Sequence, residues 1–216
     1  MDKDLAIEIK NLSVDYGRGK VFENFSLEVA LGEAVLIKGR SGCGKSTLLH
    51  TICGLIPSVT KAEVSGDIKV FGKSVQSFSI IERAKEMGIV FQNPDTQLFC
   101  DTVEDEVAFG LENLCVPQAR IGERIDEVLE LVQMQKFRYA SPKELSGGEK
   151  QRVVLASVLA LSPRILLLDE ALSQMDTASR GALIEHLMVL RGENYTMFMV
   201  DHDDVLMEVA SRTVEL

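Results

Sequence analysis

The 216-residue chain has no apolar run long enough to span a membrane, and its start, with Asp2, Lys3 and Asp4, lacks the pattern of a secretory leader. A cytosolic protein without direct membrane insertion is the expectation. Basic residues are outnumbered: 23 Lys and Arg against 33 Asp and Glu leave a net charge of −10. Nucleic acid and anionic lipid both require clustered Lys and Arg, so neither is expected as a partner, and membrane attachment would run through another protein. Cysteine pairing is also missing. Cys43, Cys53, Cys100 and Cys115 have no C-x-x-C spacing and no His clustering, which speaks against a zinc site and a disulfide framework. They read as reduced, mostly structural thiols. What remains, 46% apolar and 26% charged residues, is the composition of an ordinary globular protein that buries its core as one domain.

Within that composition one stretch is highly specific. Gly39-Arg40-Ser41-Gly42-Cys43-Gly44-Lys45-Ser46-Thr47 satisfies the phosphate-loop pattern G-x-x-x-x-G-K-[ST] at every required position. The apolar run Ala34-Val35-Leu36-Ile37 before it suits a buried strand, and Ser46 to Ile52 after it suits a helix. In such a loop the glycines turn backbone N–H groups toward phosphates, and the helix N-terminus adds partial positive charge. Lys45 would reach the β- and γ-phosphates and Ser46 would ligate Mg²⁺. Cys43, inside this loop, is the one cysteine whose position exposes it to a nucleotide site.

Ahead of the loop, Leu5–Ile9 and Phe25–Val29 alternate between glycine-bearing turns, which predicts antiparallel strands, and Gly66–Gly72 is expected to return to the same sheet. Tyr16, in the first turn, is either a half-buried packing residue or a ring that stacks on a purine. Beyond a helix around Ile80–Lys85, a short strand runs from Gly88 to Phe91 and ends at Gln92. Residues 94–160 look like a helical insertion. Thr102 is a candidate N-cap for an acidic helix over Asp101–Asn113, and Ile121, Ile125, Val128, Leu129 and Val132 recur at helical spacing.

Ser146 and Glu149 fit a capping box, so a helix starts there with Gly147 and Gly148 in its first turn. Two glycines in that place are either a flexible turn or a surface where phosphate approaches bare N–H groups. Ile165–Leu168 reads as a buried parallel strand that delivers Asp169 and Glu170 at its C-terminal end, where open α/β sheets bind ligands. Asp169 would hold Mg²⁺ and Glu170 would orient or polarise the attacking water. Tyr195–Val200 suits a last core strand ending at Asp201-His202, where a lone His is more often structural than catalytic. His50 and His186 fall within helical patterns and receive no role.

In order, the chain thus holds a P-loop, Phe91-Gln92, Leu145-Ser146-Gly147-Gly148-Glu149, Leu166-Leu167-Leu168-Asp169-Glu170 and Asp201-His202. Together these resemble the nucleotide-binding subunit of ABC transporters across nearly the whole chain. The resemblance implies an α/β fold: a P-loop NTPase core with an N-terminal antiparallel β-subdomain and an inserted α-helical subdomain. One domain over 1–216 would place the core and β-subdomain in 1–93 and 161–216, and the helical subdomain with the signature in 94–160. By the same resemblance Tyr16 would stack on adenine, and Gln92 would touch Mg²⁺ and sense a membrane partner. Glu170 would be the catalytic base, Asp176 the D-loop aspartate and His202 the switch histidine on the γ-phosphate. ATP and Mg²⁺ are the implied ligands. The family works as a head-to-tail dimer, homo- or heteromeric, in which Ser146, Gly147 and Gly148 of one subunit close on nucleotide held by the other.

A finer match runs through Phe91-Gln92-Asn93-Pro94-Asp95-Thr96-Gln97-Leu98-Phe99 and Thr102–Gly110. It is similar to the ATPases of energy-coupling factor importers, which take up vitamins or transition-metal ions. The implied place is the inner face of the cell membrane, on a transmembrane coupling subunit. Asp101, Glu104, Asp105 and Glu106 are expected to contribute an acidic groove for basic coupling helices, or simply to form a solvated helix face. Ala171-Leu172 follows Glu170 where the family has Pro-Thr, and Ser173-Gln174-Met175-Asp176 replaces Ser-Ala-Leu-Asp, which puts the geometry around Glu170 in question. The sequence ends at Val214-Glu215-Leu216, with no room expected for a regulatory tail. Two other readings stand beside a transport ATPase: an ABC-type ATPase without a membrane partner, and a catalytically weak half of a heterodimer.

Overall fold

A computed structural model of the chain describes residues 4–173, 175–202 and 204–216. Asp2 and Lys3 of the N-terminal reading and Gln174 of the D-loop reading lie outside the described residues.

Strands β1 (Leu5–Asp15) and β2 (Lys20–Ala30) form an antiparallel pair, both longer than their alternating sequence pieces suggest. The extension depends on asparagine. Asn11 and Asn24 adopt positive φ angles of 49° and 53°, and their N–H groups donate to Ser26 Oγ and Ser13 Oγ, each at 2.9 Å. Asn tolerates this left-handed region, so a bulge is absorbed and pairing resumes beyond it. After β3 (Ala34–Lys38) and α1 (Lys45–Ile52), β4 (Glu63–Val70) pairs with β1, and the two-residue β5 (Lys73–Ser74) completes a sheet in the order β2-β1-β4-β5.

Next come α2 (Ile80–Glu86), β6 (Met87–Val90), α3 (Val103–Asn113), α4 (Gln118–Leu131) and α5 (Gly147–Ala160). The chain closes with β7 (Ile165–Asp169), α6 (Thr177–Gly192), β8 (Thr196–Val200) and β9 (Arg212–Glu215). A second sheet, β6-β7-β8-β3-β9, is parallel at every neighbouring pair. Its central strands β3, β7 and β8 are nearly continuous buried apolar runs because both faces are covered, whereas the edge strand β9 is polar and mostly exposed. Val35, Ile37, Ile165, Leu167, Phe198 and Val200 join Ile7, Ile9 and Leu48 in one core. The alternate residues Leu36, Leu166, Leu168, Met197 and Met199 join Val107, Ile125, Leu129, Val154 and Leu187 in the other. The parallel sheet is therefore the middle layer, with the antiparallel sheet and α1 on one face and α3–α6 on the other.

Between residues 94 and 160 the apolar series Ile121, Ile125, Val128, Leu129 and Val132 is buried, and Thr102 caps α3 by accepting from Asp105 N–H at 3.1 Å. Of the four carboxylates expected in an acidic groove or a solvated face, Asp101 and Asp105 are exposed and Glu104 is half-buried, but Glu106 faces inward, which corrects the expectation for that residue. Glu106 is 4% exposed and accepts from the N–H groups of Phe99 (2.9 Å) and Cys100 (2.8 Å). A carboxylate can be buried only with such donors around it. Glu104 is paired with Arg138 at 2.8 Å, and Asp105 accepts from the Thr102 hydroxyl at 2.6 Å. Beside Glu106, the exposed rings of Phe99 and Phe109 meet edge to face with centroids 4.7 Å apart. No helix among the described residues is long and apolar enough to cross a membrane.

His186 on α6 is 8% exposed, and burial, aided by Arg152 on α5, pushes its pKa below the ordinary 6.5. As pH falls below that ordinary value the unfolded chain takes up a proton that the folded chain refuses. Stability is thus full above the ordinary value and is lost as pH falls toward the lower folded one. Urea denaturation from neutral to mildly acidic pH is expected to show a smaller loss in His186→Gln than in the wild type.

Candidate functional site

The glycine loop leaves β3 and enters α1 through Gly44, whose φ is 104°. A Cβ at Gly44 would strike the Val21 side chain and come within 3.0 Å of Phe22 Cδ1, so β2 leaves room only for glycine. Lys45, 4% exposed, bends back to donate to Gly39 O (2.9 Å) and Arg40 O (3.3 Å), which holds its ammonium over the loop. In the β1–β2 turn, Asp15 Oδ1 accepts from the N–H groups of Gly17 (2.6 Å) and Gly19 (3.3 Å). That turn places Tyr16 with its hydroxyl 3.4 Å from Thr47 Oγ1 and its side chain 41% exposed at the loop.

The carboxyl end of β7 supplies the other half of the cluster. Ser46 Oγ donates to Asp169 Oδ1 at 2.7 Å, so hydroxyl and carboxylate oxygens converge at the start of α1. Hard oxygen donors of this kind suit Mg²⁺. Glu170 has a positive φ of 46°, a conformation that costs a side-chain-bearing residue about 1 kcal/mol and that collects at functional sites. Ala171 and Leu172, each 2% exposed, sink into the core where the resemblance led us to expect Pro-Thr. The turn is held by backbone instead: Glu170 N–H donates to Val200 O (2.9 Å), and Glu170 O accepts from Ser173 N–H (3.0 Å).

Glu170 Oε2 accepts from Gln92 Nε2 at 2.9 Å and lies 3.7 Å from His202 Nδ1. Gln92 is aimed by its neighbour Phe91, whose N–H donates to Gln97 Oε1 (2.7 Å) and whose carbonyl accepts from Gln151 Nε2 (3.0 Å). His202 follows Asp201, which is 1% exposed and accepts from the His202 N–H at 2.7 Å. A cavity of about 710 Å³ joins Gly39, Arg40, Ser41 and Cys43 to Glu170 and His202.

Ser146, Gly147, Gly148 and Asp176 do not line this cavity; they form the starts of α5 and α6. Both predicted capping-box bonds are present: Glu149 N–H reaches Ser146 Oγ (3.4 Å), and Ser146 N–H reaches Glu149 Oε2 (2.9 Å). The Ser146 N–H holds the Glu149 carboxyl below its ordinary range. Asp176 caps α6 through Ala178 and Ser179 N–H, both at 3.0 Å, and accepts from Ser179 Oγ at 2.8 Å. The two glycines separate in role. Gly147 is exposed, whereas Gly148 is buried and a Cβ there would lie 2.7 Å from both Cβ and Oγ of Ser179. Packing between two helix starts of the same chain accounts for Gly148, a cause that the sequence did not suggest.

A glycine loop ahead of a helix, a strand ending in Asp169-Glu170 and a capped Ser-Gly-Gly helix start define a P-loop nucleotide site of one particular class. The chain belongs to the ABC transporter family, whose pattern matches residues 22–173. More particularly, it is 41% identical over 97% of its length to the energy-coupling factor transporter ATP-binding protein EcfA1 of Leuconostoc mesenteroides, covering 76% of that protein. EcfA1 of Ligilactobacillus salivarius is 42% identical, with 97% of this chain and 74% of that one covered. Among solved structures, cbiO1 from Clostridium perfringens, part of the ABC transporter complex cbiONQ, superposes with a TM-score of 0.86 at 28% identity, covering 99% of this chain and 85% of that one. Longer relatives exist: the chain is 44% identical over 91% of its length to a Methanosarcina mazei protein and spans only 34% of it. The sequence resemblance to ABC ATPases of the energy-coupling factor type, and the expected α/β architecture, are borne out.

Three residues near the cluster escaped the sequence reading. Gln97 and Gln151 brace Phe91, and His50 on α1 faces Asp169. Gln151 is 2% exposed although it stands between Lys150 and Arg152, so its sequence neighbours gave no sign of burial. The contact of Gly148 with Ser179 predicts that Gly148→Ala lowers stability by about 1–3 kcal/mol through overpacking. In denaturant unfolding, Gly148→Ala combined with Ser179→Gly is expected to lose less than the sum of the two single changes.

Proposed function

We propose that the chain is the Mg²⁺-dependent, ATP-hydrolysing subunit of a membrane importer of the energy-coupling factor type, whose cargo is a vitamin or a transition-metal ion. The observation that carries the catalytic part is Glu170: a carboxylate in a strained backbone conformation, shared by Gln92 and His202, in the cavity that the glycine loop opens into. The transport part is supported by the EcfA1 relatives and by cbiO1.

In this reading the loop N–H groups of residues 39–44 and the Lys45 ammonium hold the phosphates of ATP, and Tyr16 lies against adenine. Ser46, Asp169 and Gln92 would hold Mg²⁺, which when bound neutralises charge on the phosphates. Glu170 takes the proton of the attacking water, and His202 contacts the γ-phosphate oxygens. Ser146, Gly147 and Asp176 serve the site of a second ATPase subunit, arranged head to tail. One fact favours that assignment: these residues stand away from the chain's own cavity. A transmembrane subunit docks from outside this dimer, which keeps the chain on the cytoplasmic face. Hydrolysis would release the dimer and drive the membrane partner.

Purified protein, alone and with its co-purifying membrane partners, is expected to turn over ATP only with Mg²⁺. ATP binding without any turnover would overturn the catalytic assignment. Glu170→Gln should bind MgATP, lose turnover at least a hundredfold and elute as an ATP-dependent dimer on size exclusion. A variant that stays monomeric at saturating MgATP would point to an obligate heterodimer.

A further inference from the structure

His50 is the one imidazole that faces the metal-ligand cluster without a part in the reading above, and the helical pattern of α1 alone gave it none. Its Nε2 is buried, makes no hydrogen bond among the described residues, and lies 3.3 Å from Asp169 Oδ2. The other oxygen of the same carboxylate, Oδ1, accepts from Ser46 Oγ at 2.7 Å. Asp169 is 5% exposed, so its orientation is decided by what touches these two oxygens. On its far side the His50 ring meets Phe91 edge to face, with centroids 5.4 Å apart and planes at 88°. Phe91 is itself fixed by Gln97 and Gln151 and immediately precedes Gln92, which donates to Glu170. The imidazole thus stands between two halves of the site, the carboxylate at the end of β7 and the segment that aims Gln92.

We propose that His50 is a positioning residue for Asp169: its Nε2–H restrains Oδ2 so that Oδ1 faces Ser46 and the cation that accompanies ATP. The inference rests on the assignment of Ser46 and Asp169 to Mg²⁺. Carboxylates that ligate metals are held by outer groups of this kind, and loss of one such group costs 10–100-fold in metal affinity. The ring wedged on Phe91 keeps the nitrogen in place, because rotating it away would give up the aromatic contact.

The test is a binding measurement. ATP affinity is measured by calorimetry with Mg²⁺ and with chelator, and the ratio of the two gives the benefit of the cation. His50→Phe keeps an aromatic ring against Phe91 without the nitrogen and is expected to reduce that ratio about tenfold, with affinity in chelator unchanged. His50→Gln places an amide N–H near the position of Nε2 and should restore most of the ratio, whereas His50→Asn, whose reach matches the other ring nitrogen, should not. Thermal melts of each variant report folding separately, and the Gln and Asn pair decides the matter if His50→Phe does not fold. A wild-type ratio in His50→Phe, or equal ratios in the Gln and Asn variants, would overturn the proposal. A wild-type protein whose ATP affinity is indifferent to Mg²⁺ would instead overturn the metal assignment beneath it.

Discussion

The middle sheet is covered on both faces, and this constraint decides where polar chemistry can stand. Inside β3, β7 and β8 the core accepts apolar side chains, so charged groups appear only where each strand runs out. Lys38 ends β3, Asp169 ends β7 with Glu170 just after it, and Asp201 and His202 follow β8. Because β3, β7 and β8 are parallel neighbours, all of these ends fall on one edge of the sheet. Lys38 also pairs with Asp204, which ties the strand before the glycine loop to the segment after His202. Burial of the strands and assembly of the site are consequences of one topology.

The helical layer contributes differently. Its cap residues, Ser146 and Asp176, are spent on stabilising their own helices, and the two helix starts touch at Gly148 and Ser179. Exposed Ser146 and Gly147 and the Asp176 cap are therefore carried as one piece. Gln151, on the same α5, reaches the carbonyl of Phe91, so the helix that begins with the signature also braces the strand end that carries Gln92. A shift of α5 relative to the sheet would be felt next to Gln92 through the hydrogen bond from the Gln151 side chain to the Phe91 carbonyl.

Much of this was legible in the sequence because it depends on local pattern. Buried parallel strands announce themselves as unbroken apolar runs, the capping boxes by residues three apart, and the phosphate loop by glycine spacing. What escaped depends on which neighbour a side chain meets. His50 and Glu106 both occupy plausible helix-surface positions, and only packing against β7 and the 97–102 loop turns them inward. At Gly148 the sequence left a flexible turn and a phosphate-facing surface both open, and the contact with Ser179 adds a packing reason that no local pattern could show. Strand lengths were underestimated because the alternation lapses near Asn11 and Asn24, whose bulges let pairing continue.

Glu106 has a practical consequence for anyone who would redesign this surface. It holds the backbone of Phe99 and Cys100 from beneath, and Phe99 presents its ring, with Phe109, to the outside. The surface aromatic and the hidden acid form one transplantable unit. A graft that moves the Phe99 loop into a paralogous subunit without an acid at the position of Glu106 would carry the ring's identity but not its posture. Residues such as Glu104, paired at the surface with Arg138, can be exchanged as charge pairs with far less consequence.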